Sequence, residues 1–372
     1  MKKLSIAAAA VAAVLCFCAC GKSSDETVIT SATDNVAESP ESENVEITDE
    51  ETATSSEVDE DDGAAKNDGM KIVCTIFPEY DWVKEVLGEK AEDADIIMLL
   101  DNGVDLHSYQ PTAEDIMKIS ECDLFVYVGG ESDEWVDDAL AERTNDDMVV
   151  INLMDALGDT VKEEEVVEGM QAEEEESEDA DENAADSSET EEEVEYDEHV
   201  WLSLKNAQVI TEKIADALAT IDPENADTYK ANADDYMGKL ASLDSAYESA
   251  VSGASVKTVL FGDRFPFRYM TDDYGLDYYA AFVGCSAETE ASFETIAFLS
   301  GKVDELGLKS VLTIEGQNHK IAETIISNTK DKNQQILTMD SMQSTTSEDV
   351  ESGVSYLGIM EQNLEVLKES LE

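Results

Sequence analysis

Eight short apolar runs, separated by stretches with helical spacing, constrain this chain more than any other feature. Four lie early: KIVCTIF from Lys71, ADIIMLL over 94–100, DLFVYVGG from Asp123 and MVVINL from Met148. Four lie late: VKTVLFG over 256–262, LDYYAAF over 276–282, KSVLTIE over 309–315 and QQILTMD over 334–340. Strands that are apolar on both faces need covering on both sides, and helices between successive strands make the sheet parallel. The intervening stretches fit that demand. YDWVKEVLGEKA sets Trp82, Val83, Val86 and Leu87 on one side, and TAEDIMKISEC opens with the capping pair Thr112 and Asp115.

Between the two groups of strands runs a longer helical pattern. Tyr229, Ala233, Tyr236, Leu240, Leu243, Tyr247 and Val251 recur at spacings of four and three. Such a seam of roughly 25 residues spans about 37 Å of helix, enough to bridge two lobes. Coiled-coil pairing is the rival reading, but tyrosines and an alanine on the seam suit packing on a globular surface. The expected fold is therefore α/β: two parallel-sheet lobes joined by a long helix, with no internal sequence repeat.

Charge narrows the function. The 372 residues include 88 acidic and 23 basic ones, for a formal net charge of −65. That balance repels nucleic acid and anionic surfaces and attracts cations. Much of the acid sits in two blocks, 23–69 and 162–198, which lack apolar periodicity and read as disordered.

The first residues read as an export leader. Lys2 and Lys3 precede an apolar run, Leu4 to Leu15, that is short for a membrane span. The run ends in CFCACGKSSD, which resembles a bacterial lipobox with Cys20 as the lipidated residue, although Phe17 stands where an aliphatic residue is usual. An ordinary secretory cleavage near Ala19 is the alternative. Lipidation would hold the protein on the outer face of the cytoplasmic membrane, with the acidic stretch 21–69 as tether. Expected boundaries are then a leader over 1–20, the tether, an N-terminal lobe over 70–224 carrying the acidic insert 162–198, the linking helix 225–253 and a C-terminal lobe over 254–372. Beyond the leader, Cys74, Cys122 and Cys285 are an odd set with no metal or redox spacing. Cys74 and Cys122 read as buried small hydrophobes.

Ligands of open parallel sheets bind outside the carboxyl ends of the strands. In the second lobe those ends present Asp263, Glu315 and Asp340; in the first, the loop DNGVDLHSYQP presents His107, and His199 begins HVWLSL. Imidazole with carboxylate suits Zn²⁺ or Mn²⁺. A strand-end carboxylate is also often only the cap of the next helix. The third histidine, His319, reads as exposed and structural.

Several of these stretches together carry a resemblance. DNGVDLHSYQPTAEDIMKISECDLFVYVGG, DEHVWLSLKNAQVITEKIADAL, YGLDYYAAF and YLGIMEQNLEVLKESL resemble the zinc- and manganese-type metal-binding lipoproteins of ABC importers, solute-binding proteins of which some are called adhesins. The resemblance implies two Rossmann-like lobes with a rigid linking helix and one divalent ion, Zn²⁺ or Mn²⁺, carried in the cleft as cargo. By motif, His107 and His199 match the first two ligands and Asp340 the last. The third column, usually His or Glu, holds Arg264, which offers no lone pair. Asp263 is the favoured substitute, with Glu315 or water as alternatives. The resemblance further implies a non-enzymatic, monomeric receptor that hands its ion to an ABC permease. A surface adhesin with a stabilising metal, and a receptor for an organic cation, are the competing classes. The acidic insert lies where zinc-binding relatives often carry a histidine-rich loop, and is either a weak cation sponge or a solvated loop.

Overall fold

The computed structural model describes residues 69–171, 195–286, 290–316 and 318–372. The leader with Cys20, the tether up to 68 and the central part of the acidic insert, 172–194, lie outside the described residues.

Two four-stranded parallel sheets form the framework. The first contains β1 (Lys71–Cys74), β2 (Asp95–Met98), β3 (Leu124–Tyr127) and β4 (Val149–Asn152) in the order β2-β1-β3-β4. The second contains β5 (Thr258–Phe265), β6 (Asp277–Val283), β7 (Ser310–Thr313) and β8 (Gln335–Thr338) in the order β6-β5-β7-β8. The same topology is thus used twice. Strand order reverses beside β1 and β5, which is where a parallel sheet opens a crevice at its carboxyl edge.

The apolar runs predict these strands, and the differences are at their ends. Phe77 and Pro78 leave β1 and begin the Phe77–Leu87 helix, because proline at the first turn lacks only a donor that would be unpaired anyway. The late run VKTVLFG continues to Phe265. Its register against β6 shifts between Phe261 and Arg264, where three steps along β5 oppose two along β6. The extra residue is a bulge, which re-aims the side chains that follow it.

The linking helix spans Ala226–Gly253 over 28 residues. Its buried residues are Tyr229, Ala233, Tyr236, Leu240, Leu243, Tyr247 and Val251, the seam expected from spacing. It packs on the Phe77–Leu87 and Leu204–Ile221 helices and on the final helix, Tyr356–Ser370. Tyr247 donates its hydroxyl to the Met360 carbonyl at 2.7 Å. One apolar core joins Ile72, Trp82 and Phe125 beneath the first sheet to Phe261, Leu312 and Met339 in the second.

The described flanks of the acidic insert, 162–171 and 195–198, are ordered where disorder is expected from the sequence. Glu163 bridges Tyr196 in antiparallel fashion, and the Asp197 N–H donates to the Lys162 carbonyl at 2.9 Å. Further along, Gln171 pairs with the edge strand β6, its N–H donating to the Ala281 carbonyl at 2.9 Å. Backbone pairing and the Arg268–Glu165 ion pair at 2.6 Å hold these flanks despite their acidity.

Candidate metal centre

His107 lies in a short turn, Leu106–Ser108, beyond the carboxyl end of β2. Asp105 caps that turn by accepting the His107 N–H at 3.1 Å. His199 precedes the turn Val200–Leu202 and is fully buried. Asp197 accepts both the His199 backbone N–H and the ring Nδ1, each at 2.9 Å. That contact places the proton on Nδ1 and leaves Nε2 as a lone pair.

The His107 ring is oriented in the same sense. Its Nδ1 faces Ser132 Oγ at 2.8 Å and Glu198 Oε2 at 3.4 Å. Glu198 Oε1 accepts the Ser132 N–H at 2.8 Å. Burial pushes the Glu198 carboxyl up, but the His107 imidazole and the Ser132 hydroxyl and N–H outweigh it and hold it below the usual range. The turn bearing Ser132 follows β3 through Gly129 and Gly130, both at positive φ. A side chain at Gly130 would collide with Glu198.

The two rings meet at their remaining nitrogens. His107 Nε2 lies 3.3 Å from His199 Nε2. With both Nδ1 atoms facing oxygens, two lone pairs converge on one point. A tetrahedral zinc ion with Zn–N bonds of about 2.0–2.1 Å separates two ligand nitrogens by about 3.3 Å.

The carboxylates expected from the second lobe accept backbone N–H groups and fall outside the closest gathering of ligand atoms. Among the described residues, the gathered ligand atoms belong to His107, His199 and Cys285, all within 4.8 Å of one another. Asp263, Glu315 and Asp340 are outside that group. Asp263 accepts the N–H of Arg264 at 2.9 Å and that of Ile314 at 3.4 Å. Burial raises its carboxyl above the usual range. Glu315 accepts from the Ser341 N–H and hydroxyl, both at 2.7 Å, and from the Gln343 N–H at 3.1 Å. Asp340 accepts the Met342 N–H at 2.8 Å, and burial together with the Glu315 charge raises its carboxyl to about 6. These groups tie down the end of β5 and the turns after β7 and β8. His319 is half-buried at the start of the Lys320–Asn328 helix, also outside the group.

Arg264, in the column where a ligand is expected, makes an ion pair instead. Its Nη2 donates to Asp105 Oδ2 at 2.6 Å, joining β5 to the turn that carries His107. Nη1 reaches the Ser286 carbonyl at 3.4 Å.

Sequence reasoning missed Cys285, Ser132, Glu198 and Asp197. Cys285 follows the carboxyl end of β6 by two residues, so the strand-end rule itself could have found it. The glycine before it was a further signal. A methyl on Gly284 would stand 2.8 Å from His199 Cε1 and 2.9 Å from Nδ1. Gly284→Ala is therefore expected to lower the unfolding free energy by about 1–3 kcal/mol, read from the denaturant midpoint. Beside the group opens a cavity of about 260 Å³ lined by His107, Cys285, Glu131, Glu164, Glu195 and Glu198 among others. Glu164 and Glu195 belong to the two flanks of the acidic insert.

Known proteins share sequence and fold with this chain. Zinc-binding protein AdcA of Streptococcus pyogenes serotype M1 is 31% identical over 311 residues, which cover 80% of this chain and 55% of that protein. The chain thus spans about half the length of the streptococcal relatives it matches. High-affinity zinc uptake system protein ZnuA of Bacillus subtilis strain 168 is 29% identical over 307 residues, covering 82% of this chain and 89% of that one. The crystal structure of the Zn(II)-bound ZnuA-like domain of Streptococcus pneumoniae AdcA superposes with a TM-score of 0.61 at 27% identity, covering 82% of this chain and 99% of that domain. Residues 72–370 match the family described as ZnuA, zinc-uptake complex component A periplasmic, and the chain belongs to that family.

Proposed function

We propose that this protein captures Zn²⁺ outside the cytoplasm and delivers it to the permease of a metal ABC importer, held at the membrane through a lipid on Cys20 and acting as a monomer. It makes and breaks no covalent bond of a substrate. The observation that carries the reading is the His107–His199 pair, whose Nε2 atoms stand 3.3 Å apart with oxygens behind both Nδ1 atoms. Imidazole nitrogen favours Zn²⁺ over Ca²⁺ and Mg²⁺, and the acidic cavity raises the local concentration of any divalent cation. The zinc-binding relatives support the choice of ion. The separation of leader, tether, lobes and insert drawn from the sequence belongs to the same proposal.

The test is thermal unfolding of the metal-stripped protein with Zn²⁺, Mn²⁺, Ca²⁺ or Mg²⁺ added in turn. Zinc at a hundredfold excess over its dissociation constant is expected to stabilise by about 2.7 kcal/mol. His199→Ala should abolish that shift. Equal small shifts with all four ions would reduce the site to carboxylate screening and sink the proposal. Unfolding on mild chelation would instead mark a structural metal, as an adhesin with a stabilising site requires.

A further inference from the structure

We infer that Cys285 is the third protein ligand of the cleft ion, replacing by a thiolate just past the end of β6 the donor that β5 lacks at Arg264. This rests on the zinc-capture reading above and specifies the chemistry of that site.

Three independent contacts aim at the same point. The Cys285 Sγ and the two histidine Nε2 atoms lie within 4.8 Å of one another. Gly284 has no room for a Cβ against the His199 ring, so the chain just before Cys285 is seated on a ligand. Arg264 holds the other side: one nitrogen binds Asp105, which caps the turn of His107, and the other reaches the carbonyl of Ser286, next to Cys285. The arginine that removed a donor from β5 thus joins the turns of two remaining ligands. It is a positioning residue, since its guanidinium has no lone pair to offer.

Imidazole nitrogen and thiolate sulfur are both zinc donors, and three protein ligands leave a fourth position to water or an exchanging group. Here a cavity lined by His107, Cys285 and four glutamates opens beside the group. Binding would release the thiol proton to solvent and leave a net single positive charge on the ion and its ligands. Asp197 and Glu198 behind the two rings offset that charge. A sulfur ligand also sets selectivity. Thiolate favours Zn²⁺ over Mn²⁺, which prefers oxygen donors, so the substitution of carboxylate by sulfur makes this cleft a zinc site.

The test uses Co²⁺ as a spectroscopic substitute for zinc on the metal-stripped full chain. The expected spectrum has the intense visible bands of a four-coordinate site and a near-ultraviolet sulfur-to-cobalt charge-transfer band. Cys285→Ser should lose the charge-transfer band and weaken zinc binding by about a hundredfold or more, a ligand's share of the free energy of a zinc site. Visible bands without charge transfer in the parent protein would overturn the assignment of Cys285 while leaving zinc capture intact. An absence of any cobalt or zinc binding would overturn both. Because the parent spectrum decides between these, the outcome does not depend on whether the serine variant folds.

Discussion

Truncating Tyr356 to alanine is expected to lower the unfolding free energy by about 4–6 kcal/mol. Its side chain is fully buried at the start of the last helix. The ring meets Trp82 edge-on, with centroids 5.0 Å apart. The hydroxyl donates to the Trp201 carbonyl at 2.7 Å, and the backbone N–H donates to Asp81 at 3.0 Å. Removing the ring opens a cavity and orphans a buried carbonyl together, and these effects add. The hydroxyl alone is separable: Tyr356→Phe keeps the ring and should lose only about 1 kcal/mol. Trp201 packs tilted against His199, with centroids 5.2 Å apart, and donates its indole N–H to the Ser341 carbonyl at 2.9 Å. The damage in the alanine variant should therefore reach the metal centre, and zinc titration beside denaturant unfolding would register it. A loss below about 2 kcal/mol would mean that the core repacks around the gap.

The metal-free protein should be more stable at pH 5 than at pH 8, by roughly 4 kcal/mol from Asp133 and Asp81 alone. Burial pushes the Asp133 carboxyl up to about 7, with the Glu198 charge adding to it and the Gly129 N–H opposing. Burial likewise raises Asp81 to about 6 and Glu79 well above its ordinary range, the latter with the Asp133 charge adding. A carboxyl raised by folding contributes stability that is fully present below its unfolded pKa and is lost as pH rises through the folded one. The window therefore runs from about pH 4 to about pH 7. Asp105 and Glu198 are lowered and act in the opposite sense, but only toward lower pH, where they become protonated. Asp133→Asn separates the groups. Its amide oxygen still accepts the Gly129 N–H, bonded to Asp133 at 3.0 Å, and its amide nitrogen replaces an oxygen that lacks a partner. This variant should gain stability at pH 8 and flatten the profile, as followed by denaturant midpoints across pH. An unchanged slope would show that Asp133 is ionised throughout.

The fold was legible because its signals are local. Apolar strand runs separated by helical spacing, and the tyrosine seam of the linking helix, require no knowledge of distant contacts. The two histidines were legible for a similar reason, since each sits in a short motif. The rest of the site was not. The strand-end rule drew attention to carboxylates because they are obvious cation ligands, yet Asp263, Glu315 and Asp340 accept backbone N–H groups that the turns would otherwise leave unpaired. Whether a carboxylate caps a turn or faces a cleft depends on backbone geometry that residue identity does not encode. The bulge in β5 is of the same kind: it directs Asp263 to its own sheet and Arg264 toward Asp105. Cys285 was overlooked because a thiol without a partner motif reads as a small apolar residue. Its place just past the end of β6 was one signal, and the seat of Gly284 on the His199 ring adds a second.

The continuous core beneath both sheets has a consequence for the chain's survival among proteases. Ile72 and Phe125 on one side and Phe261 and Leu312 on the other belong to a single packed cluster, spanned by the Ala226–Gly253 helix. A lobe that melts alone strips apolar surface from its neighbour across this cluster, which couples their unfolding, whereas the cluster around Leu299 and Val303 belongs to the second lobe alone. A protease cuts what opens, and sub-global opening is the usual route to an early cut. Opening either lobe exposes this shared cluster, so early cuts within the helices and strands that build it are disfavoured.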